Sequence, residues 1–475
     1  MKILHVVIVL VAMSLTNCDQ SNETHKPNII LIMADDLGYN DVSSYRSLHT
    51  IDYENPPTSQ TPAIDKLADE GMLFTDFYSG SPVCSPSRGA LLTGRNSNRL
   101  GIYNWIPPGS PMHLRSDEIT IGEVLKQTGY DTAHFGKWHL TSEGMGQPLP
   151  NDQGYDYSFY TYNNASPNHR NPDNFYKNDT PLGELEGYAA QLVVDEAIQW
   201  IETTREKDKP FYINVWFNEP HTPLAAPDEL VDRHEYRGEY YGAIENMDKE
   251  IKKLTDYLQY SGLESETIVI FTSDNGSQWP NSNKPLYGAK HFTYEGGIRV
   301  PFIIRWPEFV EEGIVTDITG SFTDLLPTLT ELTGTNTPND RILDGESLLQ
   351  VINDPHIDFK RHKPIFHYRY FHDPILMLRE DNWVLLGYDE LVPREDHLMA
   401  NELDKIEPWR FEKNHMEYLE DLKPSYFKLY NLENDLGQEI NLADDYPEIV
   451  ERMKHIMLKL QSEMIMEGGN WFEDN

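Results

Sequence analysis

The chain has 475 residues, of which 39% are hydrophobic and 24% charged, a composition that is typical of a globular protein and excludes a disordered one. Its formal net charge of −38 at pH 7 excludes the basic surface that nucleic acids require, so no nucleic-acid partner is expected. The length allows one large hydrophobic core and a smaller second domain.

The N-terminus has the pattern of an export signal. Its apolar run, residues 6–15, is too short to span a membrane as a helix. The run instead indicates that residues 1–18 are a signal peptide. Leu15-Thr16-Asn17-Cys18 is similar to a bacterial lipobox and predicts lipidation of Cys18, with ordinary signal cleavage as the alternative. We therefore expect an exported protein, in the periplasm or on the surface of a Gram-negative bacterium, that meets the membrane only through a lipid anchor.

After a polar spacer at residues 19–26, apolar strands alternate with helices. Buried strands are predicted from continuous apolar runs at residues 27–33, 130–135, 211–217, 267–272 and 302–306. Helices are predicted at residues 61–71, 121–129, 188–203 and 242–260. This alternation predicts an α/β catalytic domain over residues 27–360, with a large, mostly parallel or mixed sheet flanked by helices.

Near residue 360 the pattern of alternating strands and helices ends. Short strands near residues 365–370 and 383–386 are separated by acidic loops, and a C-terminal helix is predicted at residues 448–464. These features predict a smaller C-terminal α+β subdomain over residues 361–475.

Polar side chains follow the predicted strands of the large sheet. Ligands of open α/β sheets bind at the carboxyl ends of the strands, so these residues are candidates for one site. They are Asp35, Asp36, Lys137, His139, His221, Asp274 and Asn275. For the two adjacent aspartates, hydrated side chains in a surface turn are the alternative.

Residues 81–99 contain the pattern Cys84-x-Pro86-x-Arg88, followed by Leu92-Thr93-Gly94-Arg95. Ser85 can cap a helix whose first residue is Pro86, which places Cys84 just before a helix N-terminus that favours anions. A buried cysteine without a function is the alternative.

This stretch resembles the signature of the formylglycine-dependent type I sulfatases, arylsulfatase-like members of the alkaline phosphatase superfamily, and the other polar blocks follow in that family's order. The resemblance implies an alkaline phosphatase-like fold, hydrolysis of sulfate monoesters, and oxidation of Cys84 to formylglycine (3-oxoalanine) by a maturation enzyme. A thiol that attacked sulfate would remain as a thiosulfate. One hydroxyl of a hydrated aldehyde can attack sulfur, and the other can then expel sulfate as the aldehyde re-forms.

The resemblance also implies a metal site. One divalent cation, calcium or alternatively magnesium, would be bound by Asp35, Asp36, Asp274, Asn275 and the modified Cys84. Carboxylate, amide and hydroxyl oxygens suit such a hard cation and would be poor ligands for copper or zinc.

Further roles are implied for the basic residues. Arg88 would hold the formylglycine hydroxyl, and Lys137 and Lys290 would bind sulfate oxygens and offset their charge in the transition state. His221 or Lys290 would protonate the leaving alcohol, and His139 would be the base that releases sulfate from the aldehyde.

A sulfated polysaccharide, or its oligosaccharides, is the expected substrate. The loop at residues 163–172 looks like the sugar-holding loops of bacterial polysaccharide sulfatases, so His169 and Arg170 could bind substrate, an ordinary exposed loop being the alternative. Arg369, His372 and Arg379 in the C-terminal part could close the pocket from the other side. The chain departs from the family pattern at His291 and Phe292, where many relatives have smaller residues, and this changes the expected pocket shape.

The acidic composition and export signal favour a marine bacterium that degrades algal polysaccharide such as ulvan or carrageenan, with glycosaminoglycan as the alternative substrate. Two other functions remain open. A phosphonate monoester or phosphodiester hydrolase could use the same nucleophile, and a lipid-anchored glycan-binding protein would not catalyse at all.

Overall fold

A computed structural model of the protein describes residues 26–51, 54–370, 373–389, 411 and 413–472. Cys18, His372 and the predicted signal peptide lie outside these residues. None of the helices within the described ranges combines the length and the apolar character needed to span a membrane.

The strands form one large sheet, one four-stranded sheet and one short pair. In chain order they are β1 Asn28–Ala34, β2 Met72–Phe74, β3 Phe77–Tyr78, β4 Asp131–Lys137, β5 Tyr157–Thr161, β6 Tyr176–Lys177, β7 Thr180–Pro181, β8 Phe211–Trp216, β9 Thr267–Ser273, β10 Phe302–Arg305, β11 Ile314–Thr316, β12 Gly320–Ser321, β13 Ile365–Tyr368, β14 Leu376–Glu380, β15 Trp383–Tyr388 and β16 Tyr426–Asn431.

The large sheet has ten strands in the order β11-β2-β10-β9-β1-β8-β4-β5-β6-β7. Its central strands β9, β1, β8, β4 and β5 are parallel, whereas β10, β6 and β7 run antiparallel to their neighbours. The second sheet, β13-β14-β15-β16, is antiparallel throughout. The predicted fold class, a mixed α/β sheet with a smaller C-terminal α+β part, is confirmed.

Helices cover the large sheet on both faces. In chain order they are α1 Ser43–Arg46, α2 Pro62–Asp69, α3 Cys84–Thr93, α4 Ile121–Gln127, α5 Ala189–Thr203, α6 Asp228–Val231, α7 Gly238–Ser261, α8 Pro280–Asn283, α9 Glu295–Ile298, α10 Leu325–Leu332, α11 Leu349–Asn353, α12 Lys413–Asp421 and α13 Pro447–Gly468. Short 3-10 turns are at Tyr39–Asp41, Pro150–Gln153, Glu264–Glu266 and Phe322–Asp324.

Strand β1 explains why the sheet needs cover on both faces. Every one of its residues is buried. Because side chains alternate along a strand, Ile29 and Leu31 enter one hydrophobic core while Ile30 and Ile32 enter the other. Helices α3, α4, α10 and α13 contribute to the first core, and α2, α5 and α7 contribute to the second.

Candidate active site

Asp35 and Asp36 follow β1, and Asp274 and Asn275 follow β9. The two pairs meet where these strands end. These strands are parallel neighbours with Ala34 opposite Ser273, so the residues that follow them leave the sheet at the same edge. The backbone turns sharply at Asp36, whose φ of 65° is left-handed, and its N–H donates to Asp274 Oδ1 at 3.1 Å. This turn brings the carboxylates of successive residues to one place, which straight strand geometry would prevent.

Helix α3 places Cys84 at this edge. The structure corrects the expected helix start: α3 begins at Cys84 itself, with the extended Val83 before it. Ser85 does not cap the helix, because its hydroxyl accepts the N–H of Ile106 at 3.0 Å. Gly94 ends the helix with a φ of 68°, as predicted. Burial raises the pKa of the Cys84 thiol far above its usual range, so the unmodified thiol stays protonated at neutral pH.

The side chains gathered here can hold a divalent cation. One potential ligand atom each from Asp35, Asp36, Cys84 and His221 lie within 4.8 Å of one another. Asn275 donates from Nδ2 to Asp36 Oδ1 at 2.7 Å, while its buried Oδ1 accepts no hydrogen bond from any described residue. A buried, unsatisfied amide oxygen beside several carboxylates is the environment that a hard cation would complete.

Two lysines reach into this cluster of carboxylates. Lys137, at the end of β4, is fully buried and its Nζ lies 2.6 Å from Asp35 Oδ2. Lys290, which is 6% exposed, places its Nζ 2.7 Å from Asp36 Oδ2. Although the two lysines are 153 positions apart in the chain (290 minus 137), their ammonium groups therefore contact adjacent carboxylates.

Arg88 connects the nucleophile helix to the strand ends. Its Nε and Nη2 donate to Asp274 Oδ2 at 3.1 and 2.8 Å, and its Nη1 donates to the carbonyl of Lys137 at 2.8 Å. The guanidinium carbon lies 5.3 Å from the ring centre of Trp216. The rigid, planar fork of an arginine suits these simultaneous contacts, which a lysine could not reproduce.

The charges in the cluster set the protonation of its carboxyl groups. Burial opposes ionisation of Asp35, but positive neighbours, Lys137 foremost, lower its pKa to about 2. Burial also opposes ionisation of Asp36, but the charge and hydrogen bond of Lys290 together with the charge of His221 outweigh it, so the pKa of Asp36 lies below its usual value. At Asp274, burial and the negative charge of Asp35 prevail and raise the pKa.

Two histidines border the cluster. His139 directs Nε2 at the carbonyl of Ile106, 3.2 Å away, so Nε2 carries the proton; its buried Nδ1 accepts no hydrogen bond from the described residues. His221 donates from Nδ1 to its neighbouring carbonyl at Thr222, and its Nε2 lies 3.4 Å from Asp36 Oδ2. Burial and nearby ammonium groups lower the pKa of both histidines. His139 can thus accept a proton on Nδ1, whereas His221 must gain one on Nε2 before it can donate.

His169 and Arg170, the candidate substrate-binding residues of the loop at residues 163–172, are not part of the carboxylate cluster. His169 is fully buried, with Nδ1 3.9 Å from Glu219 Oε1, so its side chain has no exposed surface to offer a sugar. Arg170 is exposed. Among the described residues, neither side chain has a hydrogen bond or ion pair to the carboxylate cluster.

Sequence reasoning missed one side chain of the cluster. Asn164 accepts a hydrogen bond from Lys137 Nζ at 2.7 Å on Oδ1, and its Nδ2 donates to the carbonyl of Thr222 at 3.0 Å. An asparagine in a polar loop carries no signal of such a contact, since it depends on how the loop folds back over the end of β4.

The arrangement is suited to the chemistry of an anionic ester. A nucleophile at Cys84 would lie beside oxygen ligands for a cation, two ammonium groups that can bind anionic oxygens, and one histidine that can accept a proton. Because these groups are buried, their charges act through a low effective dielectric and bind an anion more strongly than they would at the surface.

Comparisons with known proteins agree with this geometry. A sequence model of the family described as "Sulfatase" matches residues 27–335. N-acetylgalactosamine-6-sulfatase of Rattus norvegicus is 34% identical over 377 residues, covering 72% of this chain and 68% of that protein. Arylsulfatase A of Homo sapiens is 33% identical over 361 residues, covering 69% and 68%. The solved structure of Ps i-CgsB in complex with k-i-k-neocarrahexaose has a TM-score of 0.74 and 27% identity, covering 92% of this chain and 93% of that one.

Proposed function

The chain belongs to the sulfatase family and is a sulfuric ester hydrolase, and from this premise we propose that it removes sulfate from an algal polysaccharide, or its oligosaccharides, by means of a formylglycine nucleophile derived from Cys84. The observation that carries the proposal is the position of Cys84: its Sγ lies 3.6 Å from Asp35 Oδ1, at the start of α3 and among buried cations.

The state of the thiol supports its modification. A neutral, buried thiol is a poor nucleophile. In the proposed reaction, one hydroxyl of the hydrated formylglycine gives its proton to a neighbouring carboxylate and forms a bond to sulfur as the bond from sulfur to the sugar oxygen breaks. The second hydroxyl then loses its proton, the bond from carbon to the sulfate oxygen breaks, and the aldehyde re-forms. A maturation enzyme that oxidises Cys84 is therefore a required partner.

We assign the metal site to Asp35, Asp36, Asp274 and Asn275 together with the modified Cys84. The family generally binds a divalent metal. The carboxylate and amide oxygens of these residues, with a hydroxyl oxygen of the modified Cys84, suit calcium, with magnesium as the alternative. When bound, the cation would polarise the sulfate group and offset the charge of the carboxylates.

The remaining residues move protons and bind anionic oxygens. Lys137 and Lys290 bind sulfate, and Arg88 holds the nucleophile against the strand ends. His139 takes the proton that is lost when sulfate is released, in keeping with its available Nδ1. The leaving sugar oxygen receives a proton from Lys290 or from His221. Each is placed beside Asp36.

The proposed substrate class rests on the related proteins. The structural neighbour Ps i-CgsB was solved with a neocarrahexaose, which favours a carrageenan-like substrate. N-acetylgalactosamine-6-sulfatases are related in sequence, which keeps a glycosaminoglycan as the alternative. We further propose export through residues 1–18 and a lipid anchor on Cys18, which would place the enzyme in the periplasm or at the cell surface, where polysaccharide fragments arrive.

Mass spectrometry of the tryptic peptide 67–88, from protein made with a maturation enzyme, tests the nucleophile. We expect loss of the thiol and trapping of an aldehyde by a hydrazide. An alkylatable Cys84 in protein from its native host would overturn the mechanism.

The matured enzyme is then assayed on sulfated oligosaccharides from carrageenan, ulvan and glycosaminoglycans, and on matched aryl sulfate and aryl phosphate esters. Release of sulfate from the algal substrates is the expected result. A higher kcat/KM for the phosphate ester would favour the phosphohydrolase alternative, and oligosaccharide binding without hydrolysis would favour a non-catalytic protein.

A further inference from the structure

His291 follows the active-site residue Lys290 and has an unusual backbone. Its φ of 79° lies in the left-handed region, which favours glycine because a Cβ atom crowds the backbone there. Its N–H donates to the carbonyl of Pro82 at 2.9 Å, two residues before the nucleophile. A strained backbone at a functional site is evidence that the side chain itself has a use.

The imidazole of His291 is oriented by the C-terminal sheet. Arg369, which directly follows β13 and is 3% exposed, places its Nη2 3.3 Å from His291 Nδ1. A guanidinium can only donate, so Nδ1 accepts and the proton of the neutral ring is on Nε2. Arg369 thus prepares His291 as a donor through Nε2.

The loop that carries both His291 and Lys290 is held on two sides. The N–H of Lys290 donates to the carbonyl of Ser277 at 3.0 Å, and the hydroxyl of Thr293 donates to the carbonyl of Pro374 at 2.7 Å. The first contact fixes the loop to the strand-end region that carries the metal-site residues, and the second fixes it to the C-terminal sheet. His291 therefore has a defined position next to the sulfate-binding lysine.

We propose that His291, oriented by Arg369, is a specificity-determining residue that donates a hydrogen bond to an anionic oxygen, carboxylate or sulfate, on the sugar that carries the scissile ester. This inference rests on the proposed function. An imidazole N–H forms a stronger hydrogen bond with an anionic oxygen than with a neutral hydroxyl. The C-terminal sheet thereby takes part in substrate selection.

His291→Gly is the decisive variant, because glycine suits a φ of 79° and the substitution cannot add backbone strain. We measure kcat/KM for a sulfated oligosaccharide with a second anionic group and for an aryl sulfate that lacks a sugar. The ratio of the two values should fall about tenfold or more, through the loss of one hydrogen bond to a charged acceptor. The unfolding temperature should be equal to or above that of the parent.

Glu308→Gly is the matched control, since Glu308 is exposed and has a similar φ of 72°. The ratio of its kcat/KM for the oligosaccharide to its kcat/KM for the aryl sulfate should equal that of the parent. A double-mutant cycle of His291→Gly with Arg369→Lys should be non-additive in the same ratio, since the arginine acts through the histidine.

An unchanged ratio in His291→Gly, or an equal loss on both substrates, would overturn the assignment. Absence of activity on both substrates in the matured parent enzyme would instead refute the proposed function. The two failures are therefore distinguishable.

Discussion

The ammonium of Lys137 lies 2.6 Å from the carboxylate of Asp35, and both side chains are fully buried. The two residues are 102 positions apart in the chain, at the ends of β4 and β1. The pair joins a proposed sulfate-binding residue to a proposed metal ligand. Removing either partner takes from the other its nearest buried counter-charge, and Asp35 then keeps the longer contact to Arg88 Nη2 at 3.6 Å.

Lys137→Met tests this pair. Loss of the ammonium should raise the pKa of Asp35 from about 2 and should lower kcat/KM by about 10²- to 10³-fold, because a preorganised cation no longer offsets charge on the sulfate. Steady-state kinetics on an aryl sulfate measures the effect. Lys126→Met is the control, since Lys126 pairs with Asp156 at the surface and its loss should leave activity unchanged.

Cys84→Ala should reduce kcat by about 10⁴-fold or more, because no nucleophile remains and only binding and charge stabilisation persist. The alanine fits the space of the buried thiol at the start of α3, so the unfolding temperature should change little. If this variant keeps more than about one per cent of the parent's kcat, the nucleophile is elsewhere.

Removal of divalent metal by a chelator should abolish activity and lower the unfolding temperature. A cation that binds the folded protein stabilises it, and at a free concentration of about 100 times its Kd it would add about 2.7 kcal/mol to the free energy of unfolding, which the chelator removes. Scanning calorimetry with added calcium, magnesium or zinc tests the ion. Recovery with zinc but not with calcium would contradict the all-oxygen assignment.

The C-terminal sheet is attached to the large domain by a buried ion pair. Arg379 on β14 donates from Nη1 and Nη2 to the two carboxylate oxygens of Asp76, each at 2.6 Å. Arg379→Met should cost about 1.5–3 kcal/mol of unfolding free energy, measured by urea denaturation, because Asp76 loses two charged hydrogen bonds but keeps Arg299, whose Nη1 lies 3.4 Å from Asp76 Oδ1. Arg452→Met, which removes an exposed ion pair to Glu380, should cost less than about 1 kcal/mol.

His367 on β13 should make the protein sensitive to acid. Burial lowers its pKa to about 4, whereas an unfolded histidine has a pKa near 6.5. Between these values the unfolded state binds a proton that the native state does not, so the stability present above pH 6.5 is lost as pH falls towards 4. The urea midpoint should fall less between pH 7.5 and pH 5 in His367→Gln than in the parent. Exposed His356→Gln should match the parent, and equal slopes in all three proteins would refute the prediction.

Local sequence patterns predicted much of the fold, and the resemblance to the sulfatases predicted the roles of the candidate site residues. The β-branched run at residues 27–33 predicts a strand buried on both faces, and the structure has β1 at Asn28–Ala34. The polar residues after β1, β4 and β9 were expected at one edge because parallel strands end on the same side of a sheet. The short strands β14 and β16 were missed, because they are stabilised by pairing with distant neighbours rather than by a local pattern.

The sequence alone determined which residue types are available for the reaction, whereas the tertiary structure decided which of them touch. His169 and Asn164 lie in the same polar loop, yet the first is buried against Glu219 and the second bonds to Lys137. The contact of His291 with Arg369 likewise joins two segments 78 residues apart. Such contacts depend on loop paths and on how the two sheets pack, and these are set by long-range packing rather than by local propensity.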